Sequence, residues 1–95
     1  MQAYGPYRIL GHVSVAIGGT SADEPIPLPS GKVLLVSTVN ACWETGVDSA
    51  TAVITGKYLP ANTPIAFEIP PTHNFIAAIE PVAATDGVLS VYSLG

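Results

Sequence analysis

Residues 57–71 read KYLPANTPIAFEIPP, a short apolar run, Ile65-Ala66-Phe67-Glu68-Ile69, enclosed by four prolines. Proline has no N–H to give to a strand ladder, so it is kept out of the middle of a central strand. Ile65, Phe67 and Ile69 alternate with Ala66 and Glu68, the two-residue period of a strand with one buried face. Leu59-Pro60 and Thr63-Pro64 bracket a turn, each proline pushing the residue before it toward an extended conformation. Pro70-Pro71 stops the run. The stretch predicts a short strand with a short ladder or an edge position, held between rigid turns.

The same grammar extends in both directions. Residues 75–80, FIAAIE, and 88–94, VLSVYSL, give two more strands, joined by a connection containing the turn pair Asp86-Gly87. Residues 8–17, RILGHVSVAI, put Ile9, Val13, Val15 and Ile17 on one face and Arg8, His12 and Ser14 on the other. Residues 33–39, VLLVSTV, form the near-continuous apolar run of a strand covered on both faces. After a bend near Asn40, Cys42 and Trp43 continue as a strand. Residues 46–51 are turn-like, and Ala52–Thr55 is a short strand candidate ended by Gly56. Residues 18–31, GGTSADEPIPLPSG, read as a long Gly/Pro loop, of the kind that is often functional or ordered against a partner. Helical periodicity with caps is absent. Six to seven short strands over one domain, residues 1–95, predict an all-β fold: a small antiparallel β-sandwich or barrel.

Apolar residue types make up 48% of the chain and charged types only 11%, against about 25% in an ordinary soluble domain. A monomer of this mass has roughly 5,000 Å² of surface. Three basic and seven acidic side chains leave wide parts of it uncharged. Such a surface points to self-association or to a place in a larger assembly. The net charge of −4, with Arg8, Lys32 and Lys57 scattered, argues against nucleic acid, whose phosphates require clustered cations. Cys42 is the single cysteine, so no intrachain disulfide and no cysteine-based zinc site can form, which favours folding in a reducing cytoplasm. Arg8 followed by Ile9–Ile17 loosely resembles a signal peptide, but His12 and the alternation suit a strand better. No apolar stretch reaches the ~18 residues of a membrane-spanning helix.

No constellation names a reaction. Cys42 beside Trp43 on an apolar strand reads as a small buried hydrophobe rather than a nucleophile. His12 and His73 are too far apart, and the acids too dispersed, for usual metal-ligand spacings. His12 reads as a polar-face residue and His73 as a solvent-facing turn residue. Asp23-Glu24 is a solvated loop pair, and Gly18-Gly19-Thr20-Ser21 lacks the lysine of a phosphate-binding loop. No catalytic, metal or cofactor residue is therefore assigned. Phe67 and Phe75 read as core. Tyr4 and Tyr7 flank Gly5-Pro6 in an N-terminal arm, residues 1–8, which reads either as a segment that docks on a neighbour or as a frayed terminus.

Over the last 55 residues, ACWETG, SATAVITGKYLPANTPIAFEIP and FIAAIEPVAATDGVLSVYSLG together resemble small virion structural proteins of tailed bacteriophages. The resemblance rests on Ala50-Thr51, Leu59-Pro60-Ala61-Asn62-Thr63-Pro64, Phe67, Ile76-Ala77-Ala78-Ile79 and Gly87-Val88-Leu89-Ser90-Val91. The first 40 residues carry none of it. It implies a non-enzymatic capsid decoration or cement protein on the virion surface, made in the host cytoplasm. Its implied partners are the major capsid protein or other virion proteins and its own copies, as a dimer or trimer. The arm and the 18–31 loop are the expected contacts, with Tyr4, Tyr7, Ile26 and Leu28 as interface residues. A head–tail connector, tail or fibre subunit is the alternative. A small carbohydrate-binding module is another, with Trp43, Tyr58 and Tyr92 as its aromatic platform.

Overall fold

A computed structural model describes residues 8–27, 31–82 and 86–95. Within them lie eight strands: β1 (Ile9–Ile17), β2 (Ala22–Pro25), β3 (Lys32–Ser37), β4 (Ala41–Gly46), β5 (Lys57–Leu59), β6 (Ile65–Glu68), β7 (Phe75–Ile79) and β8 (Gly87–Leu94). They form two four-stranded antiparallel sheets, β1-β8-β3-β6 and β2-β7-β4-β5, packed face to face and not closed into a barrel. The all-β sandwich is therefore the architecture, with one strand more than the upper expectation.

Alternation decides what enters the space between the sheets. From the first sheet come Val15, Ile17, Val33, Leu35, Leu89 and Val91; from the second come Ala41, Trp43, Leu59, Ile76 and Ala78. Trp43 meets Phe67 across the gap, ring centroids 4.6 Å apart. The continuous apolar run of β3 is explained by its interior position between β8 and β6. Val33 and Leu35 face the core, while Leu34 is buried on the opposite side of the sheet. Full burial of a Leu or Ile side chain contributes about 1.5–3 kcal/mol, so this interleaved layer supplies most of the stability.

Nearly every connection passes from one sheet to the other. Only β4 and β5 are both consecutive and hydrogen-bonded neighbours. The turn 60–64 is one of these crossings, carrying the chain from β5 in the second sheet to β6 in the first. Asn62 adopts φ 57°, its N–H donates to the Ser37 carbonyl at 2.7 Å, and the Ala61 N–H donates to Asn40 Oδ1 at 2.9 Å.

Several expectations are corrected. The 18–31 segment is not all loop, because Ala22–Pro25 pairs with β7 from Ala22↔Ala78 to Pro25↔Phe75. As an edge strand β2 tolerates its proline. Ala52–Thr55 is not a strand; the Gly56 N–H closes a turn onto the Val53 carbonyl, and the strand begins at Lys57. Phe75 is half-buried outside the core cluster, opposite Gly46 and Pro25. Ile26, expected at an interface, is 4% exposed within the core, so its side chain is not on the outer surface. Residues 1–7 of the N-terminal arm, with Tyr4 and Tyr7, and Leu28 of the long loop lie outside the described residues.

Candidate functional site

The outer face of the second sheet carries an element absent from the sequence reading. Between β4 and β5 the chain runs from Val47 to Gly56 and lies as a strap across that face. Two side chains from the β2 edge hold it. Asp23 Oδ2 accepts the Ala50 N–H at 2.9 Å, and Ser21 Oγ accepts the Ala52 N–H at 2.8 Å. From beneath, the Cys42 thiol donates to the Ile54 carbonyl at 3.4 Å. Cys42, Ala52 and Ala77 are buried apart from the inter-sheet cluster, as the covered layer of this strap requires.

The N-terminal end of the strap is fixed by the 70–74 turn. Asn74 donates its N–H to the Gly46 carbonyl at 3.0 Å and accepts the Asp48 N–H on Oδ1 at 2.7 Å. Asp48 takes φ 62°, a conformation that Asp tolerates better than most residues. Thr45 Oγ1 and His73 Nδ1 are 2.7 Å apart. His73 is thus half-buried and bonded, not simply solvent-facing.

The Thr45–His73 contact has the reach of a nucleophile and its base. Its surroundings do not suit catalysis. Thr45 is buried, and the adjoining cavity, which His73 lines with Ile26, Gly31, Val33, Ile69, Pro70 and Pro71, measures about 10 Å³. That space holds one water at most. Its evident role is to tie the turn to β4. Among the described residues no three His, Cys, Asp or Glu side chains converge. Glu80, just beyond β7, is 6% exposed; among the described residues its Oε2 has no hydrogen-bond partner, but it belongs to no group of three potential metal ligands.

The strap turns apolar side chains outward. Val53 is 54% exposed, Ile54 58% and Tyr58, on the neighbouring strand, 53%. Tyr58 is the cross-strand partner of Cys42, whose thiol meets Ile54, so Ile54 and Tyr58 border the same spot. Lys57 Nζ bonds both Glu44 carboxylate oxygens, at 2.9 and 2.8 Å, and lies 5.5 Å from the centre of the Trp43 ring. That ammonium holds the Glu44 carboxyl below its usual range against the opposing effect of burial, helped by the Thr45 N–H and by His73.

The three aromatic residues proposed as a glycan platform do not share a surface. Trp43 is buried in the inter-sheet core. Tyr58 lies on the outer face of the second sheet, and Tyr92 on that of the first, stacked on His12 with centroids 4.7 Å apart. The sequence could have flagged the strap through Val53-Ile54 in a turn region, but not its anchors, which are 27 and 31 residues away. Comparison with protein families, curated proteins and solved structures finds no match to this chain.

Proposed function

We propose that this protein is a non-enzymatic virion structural subunit, decorating or cementing a phage capsid as a homo-oligomer. It works by adhesion, burying uncharged surface between copies and on the major capsid protein. One observation carries the reading. The strap holds Val53 and Ile54 exposed beside Tyr58 of β5 in a chain that bears few charges, and pinned apolar side chains are what a subunit interface needs. The capsid enters this reading only through the resemblance of segments of residues 41–95 to phage virion proteins; the exposed apolar side chains support adhesion as the means. A head–tail connector, tail or fibre subunit would use the same chemistry and differs in position and copy number on the particle.

The test is co-sedimentation with capsids assembled without the protein. Wild-type protein should pellet with the shells in a fixed stoichiometry, and Ile54→Asp together with Val53→Asp should abolish this while leaving the fold intact. Failure of the wild type to bind shells would overturn the capsid reading. Binding that ignores both substitutions would move the contact elsewhere.

A further inference from the structure

We infer that β6 is a self-complementary edge through which two copies join, continuing the first sheet from one copy into the other. This deepens the homo-oligomer part of the proposed function and is independent of the capsid.

The register determines which groups β6 offers. It pairs with β3 as Lys32↔Glu68, Val33↔Phe67, Leu34↔Ala66 and Leu35↔Ile65. One step further, the Ile69 N–H donates to the Gly31 carbonyl at 2.6 Å. Bonded pairs alternate along an antiparallel ladder, so Phe67 and Ile65 turn their backbone groups toward β3. Ala66 and Glu68 turn theirs outward, leaving N–H and C=O groups without partners among the described residues. A groove of about 180 Å³ runs along this edge, lined by Lys32, Ala66, Phe67 and Glu68. β6 is the last strand on its side of the sheet, and among the described residues no further strand pairs with it.

A second β6 fits this edge in a single antiparallel arrangement. With the two-fold axis at Phe67, Ala66 of each copy lies opposite Glu68 of the other, and all the outward groups of both copies are bonded. The two Phe67 side chains, half-buried at the edge, then face each other as a close aromatic pair. Centring the axis on Ala66 would set Glu68 against Pro64, and centring it on Glu68 would set Ala66 against Pro70. Each alternative places a residue with no N–H where a bond is required. The second also opposes the two Glu68 carboxylates. The prolines on either side of β6 thus select one register and end the ladder beyond it, and a two-fold contact of this kind closes on itself as a dimer.

Sedimentation over a range of protein concentrations tests this with substitutions at Ala66, whose exposed side chain leaves the subunit fold unaffected. Ala66→Glu sets a carboxylate against Glu68 of the other copy twice per interface and should weaken the dimer about tenfold. Ala66→Lys sets an ammonium there and should tighten it. Wild-type protein that stays monomeric throughout would overturn both this interface and the homo-oligomer reading. A wild-type oligomer whose dissociation ignores both substitutions would overturn the β6 interface alone.

Discussion

The anchoring of the strap can be tested through Cys42, the single cysteine, whose thiol is buried beneath it. The perturbation is Ser21→Ala with Asp23→Ala, which removes the acceptors of the Ala52 and Ala50 N–H groups. Loss of a neutral hydrogen bond costs about 1 kcal/mol, and loss of one to a charged acceptor about 2 kcal/mol. Both bonds hold one segment, so the two losses act on one opening equilibrium, by about 3 kcal/mol. At ~1.4 kcal/mol per decade, that is an increase of roughly 100-fold in the open population. The assay is the rate of Cys42 labelling by a thiol reagent at fixed pH, under conditions where the strap recloses faster than it is labelled. In that regime the rate follows the opening equilibrium. Trp43 lies between the sheets, and its fluorescence in urea reports separately on the sandwich core. The expected result is a roughly 100-fold faster labelling rate with a core transition that stays cooperative. An unchanged labelling rate would refute the reasoning, since Cys42 would then not be guarded by these two bonds.

Three further outcomes follow from the packing and electrostatics. Gly46→Ala places a Cβ against the Ser49 carbonyl oxygen at the start of the strap, and should cost about 1–3 kcal/mol in urea unfolding. Leu35→Ala empties a fully buried position facing the second sheet and should cost about 2–5 kcal/mol by the same measurement. A lowered Glu44 carboxyl contributes stability that is fully present above its ordinary value and lost as pH falls through the lowered one. Glu44 and Lys57 are 38% and 52% exposed, which limits the pair to below about 1 kcal/mol. Lys57→Met should therefore flatten the acid limb of stability against pH by that small amount, read from urea midpoints between the ordinary carboxylate range and lower pH. An acid limb that keeps its full slope would assign the loss to other carboxylates.

Some of this molecule is written locally and some only in its contacts. β1, β3, β7 and β8 announce themselves because alternation or a sustained apolar run follows directly from having one or both faces covered. β2 does not: Ala-Asp-Glu-Pro has little intrinsic preference for a strand, and it is extended because the β7 edge bonds it. Sandwich could not be told from barrel because turn chemistry reveals pairing only between consecutive strands, and here only β4 and β5 pair that way. The strap is hidden for a related reason. A bare turn sequence becomes a covering layer only through Ser21 and Asp23, whose acceptor oxygens belong to a distant edge.

The prolines around β6 show how the two levels combine. Read as sequence, they mark the ends of a strand. Read with the register, they decide which backbone groups a neighbouring copy can reach. Proline is usually placed on an edge to prevent pairing. Here Pro64 and Pro70 lie beyond the outward groups of Ala66 and Glu68 and not among them. A fence in that position does not forbid pairing; it blocks register slips while leaving one symmetric register open. Moving the fence inward should therefore abolish the dimer without harming the sheet. Ala66→Pro removes an outward N–H and no bond to β3, so the dimer should be lost while the urea midpoint, compared at protein concentrations where the wild type is also monomeric, stays near the wild-type value. A variant as unstable as one that breaks the β3–β6 ladder would show that the Ala66 N–H points inward, and the register argument would fall.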